Sequence, residues 1–139
     1  MKKITFIAII IFGINFVSFA QKEITTASGL KITIIEPGKG EKPKKGAKVY
    51  VNYVGKLASN NVEFDNSEGY PIDFILGKGE VIKGWDEGVA MLAKGGKATL
   101  YIPANLAYGE KGYPMNEGEG VSIPPNADLI FDIELTKFK

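Results

Sequence analysis

The stretch GKGEVIKGWDEGVAML, running from Gly77 to Leu92, holds the only tryptophan of the chain. Trp85 follows Gly84 directly, with Val81 and Ile82 just upstream. Other large side chains sit beside turns or strand ends in the same way. YVG at 53–55 carries Tyr53, FD at 64–65 carries Phe64 and Asp65, and AYG at 107–109 carries Tyr108. IPP at 123–125 brings Ile123, and LIFDIEL at 129–135 brings Phe131. Each of these alone reads as core. Together they form an apolar set with a few polar groups among it, gathered near turns and strand ends, and in combination the ordered set is specific.

Other chemistries fail on residue type. The 139 residues include no histidine and no cysteine. Cys/His zinc sites, thiol nucleophiles and histidine-based triads are therefore excluded. Any general acid or base must be Asp, Glu, Lys or Tyr. All 17 basic residues are lysine, so the bidentate fork used on guanine or phosphate is missing. GKGEVIKG and GKGEKPKKG match neither the dinucleotide fingerprint nor the P-loop spacing. The pairs Asp86/Glu87 and Glu117/Glu119 sit in polar contexts and read as solvated faces. A formal net charge of +1 exerts no pull toward nucleic acid. No metal site and no cofactor are called for.

The elements that must position the set follow from periodicity. Lys2 and Lys3 precede an apolar run from Ile4 to Val17, and VSFAQ places Ser18 and Ala20 at the −3 and −1 positions of a cleavage site. Residues 1–20 are expected to be a signal peptide for export, to a periplasm or to the exterior, with no stable membrane insertion after cleavage. A retained anchor is the alternative. Losing Lys2 and Lys3 lowers the formal charge by two, to −1. Residues 21–28 read as a polar tether, and 29–139 as one domain. Leu30, Ile32 and Ile34 alternate in a first strand, and Val49, Val51 and Tyr53 share a face of the next. VEFD resumes extended chain, Ile72 to Leu76 is another strand, and KATLYIP and DLIFDIELTK supply two more. The one helical stretch runs from Lys83 to about Leu92, with Trp85, Val89 and Leu92 in one stripe. About five antiparallel strands and one short helix make an α+β domain, with Trp85 turned toward the sheet.

The ordered set resembles the FKBP-type peptidyl-prolyl cis–trans isomerases, the macrolide-binding immunophilins. The resemblance covers Leu30 to Lys139. It is carried by FILGKGEVIKGWDEGVAML, with VNYVGKL, FDNS, LAYGEKGYP and IPPNADLIFDIEL in support. It implies a twisted antiparallel sheet wrapped over one short helix. It also implies that Trp85 is the floor of a proline pocket, with Gly84 leaving its ring face open. Tyr53, Phe64, Val81, Ile82, Ile72 and Phe131 would be the walls. Asp65, Tyr108 and the Ile82 backbone N–H would be the polar contacts, with Ile123 and Tyr113 at the rim. Catalysis would then fall to Tyr53, Phe64, Asp65, Trp85, Tyr108 and Phe131. Proline-containing polypeptides and macrolide inhibitors are the implied ligands of a monomer.

Three stretches differ from the family pattern. The basic residue usual after FD is missing from NSEGYP, Ile72 stands where an aromatic wall is usual, and GYPMNEGEGVSIPP is long and acidic. A peptide-binding or chaperone-like module without catalysis is the rival reading of the same pocket.

Overall fold

A computed structural model describes residues 21–139; the signal peptide expected at 1–20 lies outside them. Seven strands form one antiparallel sheet in the order β1-β2-β6-β7-β3-β4, with β5 also paired to β3. The strands are β1 (Lys22–Thr25), β2 (Lys31–Glu36), β3 (Lys48–Leu57), β4 (Glu63–Asn66), β5 (Ile72–Ile75), β6 (Lys97–Ile102) and β7 (Leu129–Phe138). Strand β3 pairs with β7 along one edge and is long enough to serve two partners along the other. Its first half, Lys48 to Val51, pairs with β5, and Val54 to Lys56 pair with β4.

Two short strands exceed the expected count. Residues 22–25, read as tether, form β1, whose backbone pairs with Lys31 to Ile34. The segment is mostly exposed, with only Ile24 packed on the core. An edge strand is held by backbone hydrogen bonds on one side and needs no buried face of its own. That is why polar residues suffice. Strand β4 is the FD segment, placed on the other flank of the sheet by its pairing with β3.

One helix, α1 (Lys83–Val89), packs on the sheet and buries Trp85 and Val89. It stops short of the expected Leu92. Met91 N–H donates to the Gly88 carbonyl and Leu92 N–H to that of Val89, so the chain tightens into three-residue turns. Leu92 is fully buried regardless. Beneath the helix, Leu30, Ile32, Val49, Val51, Leu100 and Leu135 form the centre of the core. Among the described residues no polar or charged residue is buried. Two glycines let the helix approach β6. A Cβ on Gly84 would come within 2.6 Å of the Ile102 side chain, and one on Gly88 within 2.8 Å of Leu100.

Candidate active site

Where α1 begins, the aromatic side chains of four elements meet around Trp85. Its indole lies edge-on to Phe131 of β7 (centroids 5.2 Å apart, 89° between planes) and to Tyr53 of β3 (5.0 Å, 76°). Phe74 of β5 closes on it at 5.9 Å. Phe64 of β4 stands edge-on to Phe131 at 5.5 Å. Such edge-to-face pairs orient rings without hydrogen bonds. Trp85 Nε1 has no acceptor among the described residues, so packing alone sets the ring.

These rings leave a cavity of about 190 Å³. Trp85, Phe131, Tyr53 and Phe64 line it from the sheet and helix. Val81 and Ile82 line it from the turn before α1, and Ile72 from the start of β5. Trp85 is 3% exposed; it belongs to the core and to the cavity wall at once. Gly84 plays a different part from the one expected of it. It faces Ile102 rather than clearing a face of the indole.

Besides Tyr53, three side chains with polar ends line the cavity: Asp65, Tyr108 and Glu80. The Tyr53 hydroxyl donates to Asp65 Oδ2 at 2.7 Å, and Asn66 N–H donates to Asp65 Oδ1 at 2.8 Å. With both oxygens engaged, Asp65 is fixed in place. Burial, and then the hydrogen bond to Asp65, push the Tyr53 phenol far above its ordinary range. Burial also raises Tyr108, helped by the neighbouring Tyr113 and Asp65. Both phenols therefore remain protonated donors at neutral pH.

Several contributors were not singled out from the sequence. Glu80 Oε2 accepts the Ile75 N–H at 3.1 Å, tying the cavity edge to β5. Asp86, read as solvated, clamps the turn leading to Val81: it accepts from Gly77 N–H (2.8 Å) and Gly79 N–H (3.0 Å). Glu87 likewise accepts from the Ser28 hydroxyl at 2.6 Å. Gly55 lies against the Phe64–Phe131 pair, where a Cβ would come within 2.7 Å of Phe131 and 2.8 Å of Phe64. Only the missing side chain lets both rings approach β3 so closely.

Tyr113 and Ile123 do not line this cavity. They line a second one, of about 400 Å³, which shares Phe64, Asp65 and Tyr108 with the first. The two residues exchange backbone hydrogen bonds of 2.9 Å in each direction, closing the base of a loop. Ile123 is buried and Tyr113 exposed, its ring 5.4 Å from that of Tyr108.

Residues 39–136 match the family described as FKBP-type peptidyl-prolyl cis-trans isomerase. The chain belongs to that family. An FK506-binding protein 4 of Dictyostelium discoideum is 51% identical over 112 residues, covering 81% of this chain and 29% of the relative. A probable FKBP-type peptidyl-prolyl cis-trans isomerase FkpA of Neisseria meningitidis serogroup B is 48% identical over 115 residues, covering 81% and 39%. The chain thus spans well under half the length of these relatives. Among solved structures, FkpA from Escherichia coli superposes with a TM-score of 0.73 at 45% identity, covering 84% of this chain and 51% of that one. AtFKBP13 does so at 0.73 and 40% identity, covering 85% and 99%. An FKBP-like fold, an open antiparallel sheet with one helix, is common to them and to this chain.

Proposed function

We propose that this chain is a peptidyl-prolyl cis–trans isomerase that speeds rotation about X–Pro bonds in exported polypeptides, acting as a monomer. The observation that carries the reading is the ring-lined cavity above Trp85. At about 190 Å³ it exceeds the roughly 150 Å³ that suffices for benzene, so a proline ring fits. The reaction transfers no atom. Its barrier of about 18–20 kcal/mol is the amide resonance lost on twisting. The planar imide is dipolar and the twisted one much less so. An apolar enclosure therefore disfavours the ground state relative to the twisted state.

Polar groups at the rim add selective stabilisation. In this reading the Tyr108 hydroxyl donates to the carbonyl of the residue before proline, and the Ile82 N–H to the carbonyl that follows. Among the described residues Ile82 N–H has no backbone acceptor. Asp65 holds the Tyr53 ring in place and presents a carboxylate toward the twisting imide. Interactions stronger in the twisted state than in the planar one are those that accelerate. Lowering the barrier by about 5–8 kcal/mol gives roughly 10⁴–10⁶-fold. A single buried proline supports affinity only on the order of millimolar.

The test is a coupled or NMR-exchange isomerisation assay on residues 21–139, with FK506 as competitor. Acceleration of a Leu–Pro peptide, abolished by the macrolide, is expected. A folded protein that binds the peptide without speeding its isomerisation would establish the non-catalytic module instead. Export rests on the pattern at 1–20: mass spectrometry of exported material should find a chain beginning at Gln21. A full-length chain in the membrane fraction would overturn cleavage.

A further inference from the structure

The loop from Tyr113 to Ile123 is built rather than merely long. Above the Tyr113–Ile123 closure, Met115 N–H donates to the Ser122 hydroxyl at 2.9 Å. At the tip, Glu119 N–H donates to the Asn116 carbonyl at 3.0 Å, and Asn116 Nδ2 donates to Glu119 Oε2 at 2.8 Å. The Glu119 carboxylate is thereby placed on the second cavity, beside the apolar side chains of Met115 and Val121. The charged side chains lining that cavity are Glu119 and Asp65. Although the chain has 17 lysines, none lines it.

We infer that this cavity receives the side chain of the residue preceding proline, and that Glu119 makes the site favour lysine or arginine there. The inference rests on the isomerase reading above. The polar side chains common to both cavities are Asp65 and Tyr108, which flank the imide carbonyl in that reading. That carbonyl belongs to the residue before proline, so its side chain is directed past the shared wall into the second cavity. A long basic side chain matches what it meets there. Its aliphatic stem covers Met115 and Val121 while its cation reaches the carboxylate. Because Asn116 already holds Glu119, little side-chain freedom is lost on pairing. An acidic residue at the same position meets two like charges.

The experiment compares kcat/KM for three short peptides differing only before proline: Leu–Pro, Lys–Pro and Glu–Pro. One charge pair about 6 Å apart in water changes a rate by about 3-fold, so Lys–Pro should exceed Glu–Pro by about 10-fold at low salt. In 1 M NaCl, where the screening length falls to about 3 Å, the ratio should approach unity. Glu119→Gln should bring the ratio to about 3-fold or less, and Glu119→Lys should bring it to unity or below. The Leu–Pro rate of each variant, measured alongside, reports an intact fold and catalytic cavity. If wild type turns over Leu–Pro but shows no preference for Lys–Pro, or if the ratio stays near 10-fold in Glu119→Gln, the inference is overturned and the isomerase reading stands. If no peptide is turned over, both fall.

Discussion

The Tyr53 hydroxyl donates to Asp65 across 2.7 Å, and that bond ties β3 to β4 at the wall where the two cavities meet. It joins a ring edge-on to Trp85 to a carboxylate on the rim. Tyr53→Phe leaves the ring and removes the donor. Activity should fall partly while the fold survives, with stability lowered by about 1 kcal/mol. Urea unfolding alongside the Leu–Pro assay checks both. Activity equal to wild type would show that Asp65 needs no anchoring.

The same phenol predicts an alkaline limit. Tyr53, Tyr101 and Tyr108 all have raised proton affinity in the fold, whereas an unfolded tyrosine titrates near 10. Below that value both states hold the proton and the stabilisation is complete. As pH rises past about 10 the unfolded chain releases protons first, so stability declines toward the folded values. Urea midpoints measured from pH 8 to 11 should be level and then drop. Tyr53→Phe should make the drop shallower.

Catalysis should be indifferent to pH over a wide window. No histidine or cysteine is present, and the phenols on the cavity are raised rather than lowered. With ordinary carboxylates near 4 and tyrosines near 10, kcat/KM on a neutral peptide should be nearly flat from about pH 6 to 8.5. The solvent deuterium effect should be near unity. A bell centred near neutrality would reveal proton transfer and sink the twisted-amide account.

Trp85→Ala should abolish most activity and cost about 3–5 kcal/mol, because the ring belongs to core and cavity together. Gly55→Ala isolates the cavity's shape. The added methyl meets Phe64 and Phe131 at under 3 Å, and the rings must shift toward the space a proline would occupy. Overpacking of this kind costs about 1–3 kcal/mol, and catalysis should drop much further than stability does. A folded Trp85→Ala protein with full activity would remove the cavity from the mechanism.

Much of this arrangement was legible in the sequence, for reasons that particular residues make plain. Trp85 and Val89 announce the helix because burial repeats at its period. Leu30, Ile32 and Val49, Val51 announce strands because burial alternates. Strand β1 was not legible: it is held through its backbone, and its exposed side chains carry no pattern. Gly84 and Gly55 were visible as glycines, but their roles depend on Ile102, Phe64 and Phe131, which only folding brings opposite. Asp86 read as surface because the amides it accepts belong to a turn whose geometry sequence spacing does not reveal, and Glu80 gave no signal because the amide it accepts is on β5. Tyr113 and Ile123 fell to the second cavity because their mutual pairing closes a separate loop.

A chain with one tryptophan, placed on the cavity wall among three other rings, carries its own optical reporter. Excited at the red edge, where tyrosine does not absorb, its emission comes from a single environment. A ligand ring settling on the indole displaces water from beside it and should change that emission directly. Titrations of proline peptides or macrolides can therefore be followed without a dye, a coupled protease or an isotope. The same signal, shifted to longer wavelength, marks unfolding, so occupancy and integrity are read from one residue in one cuvette.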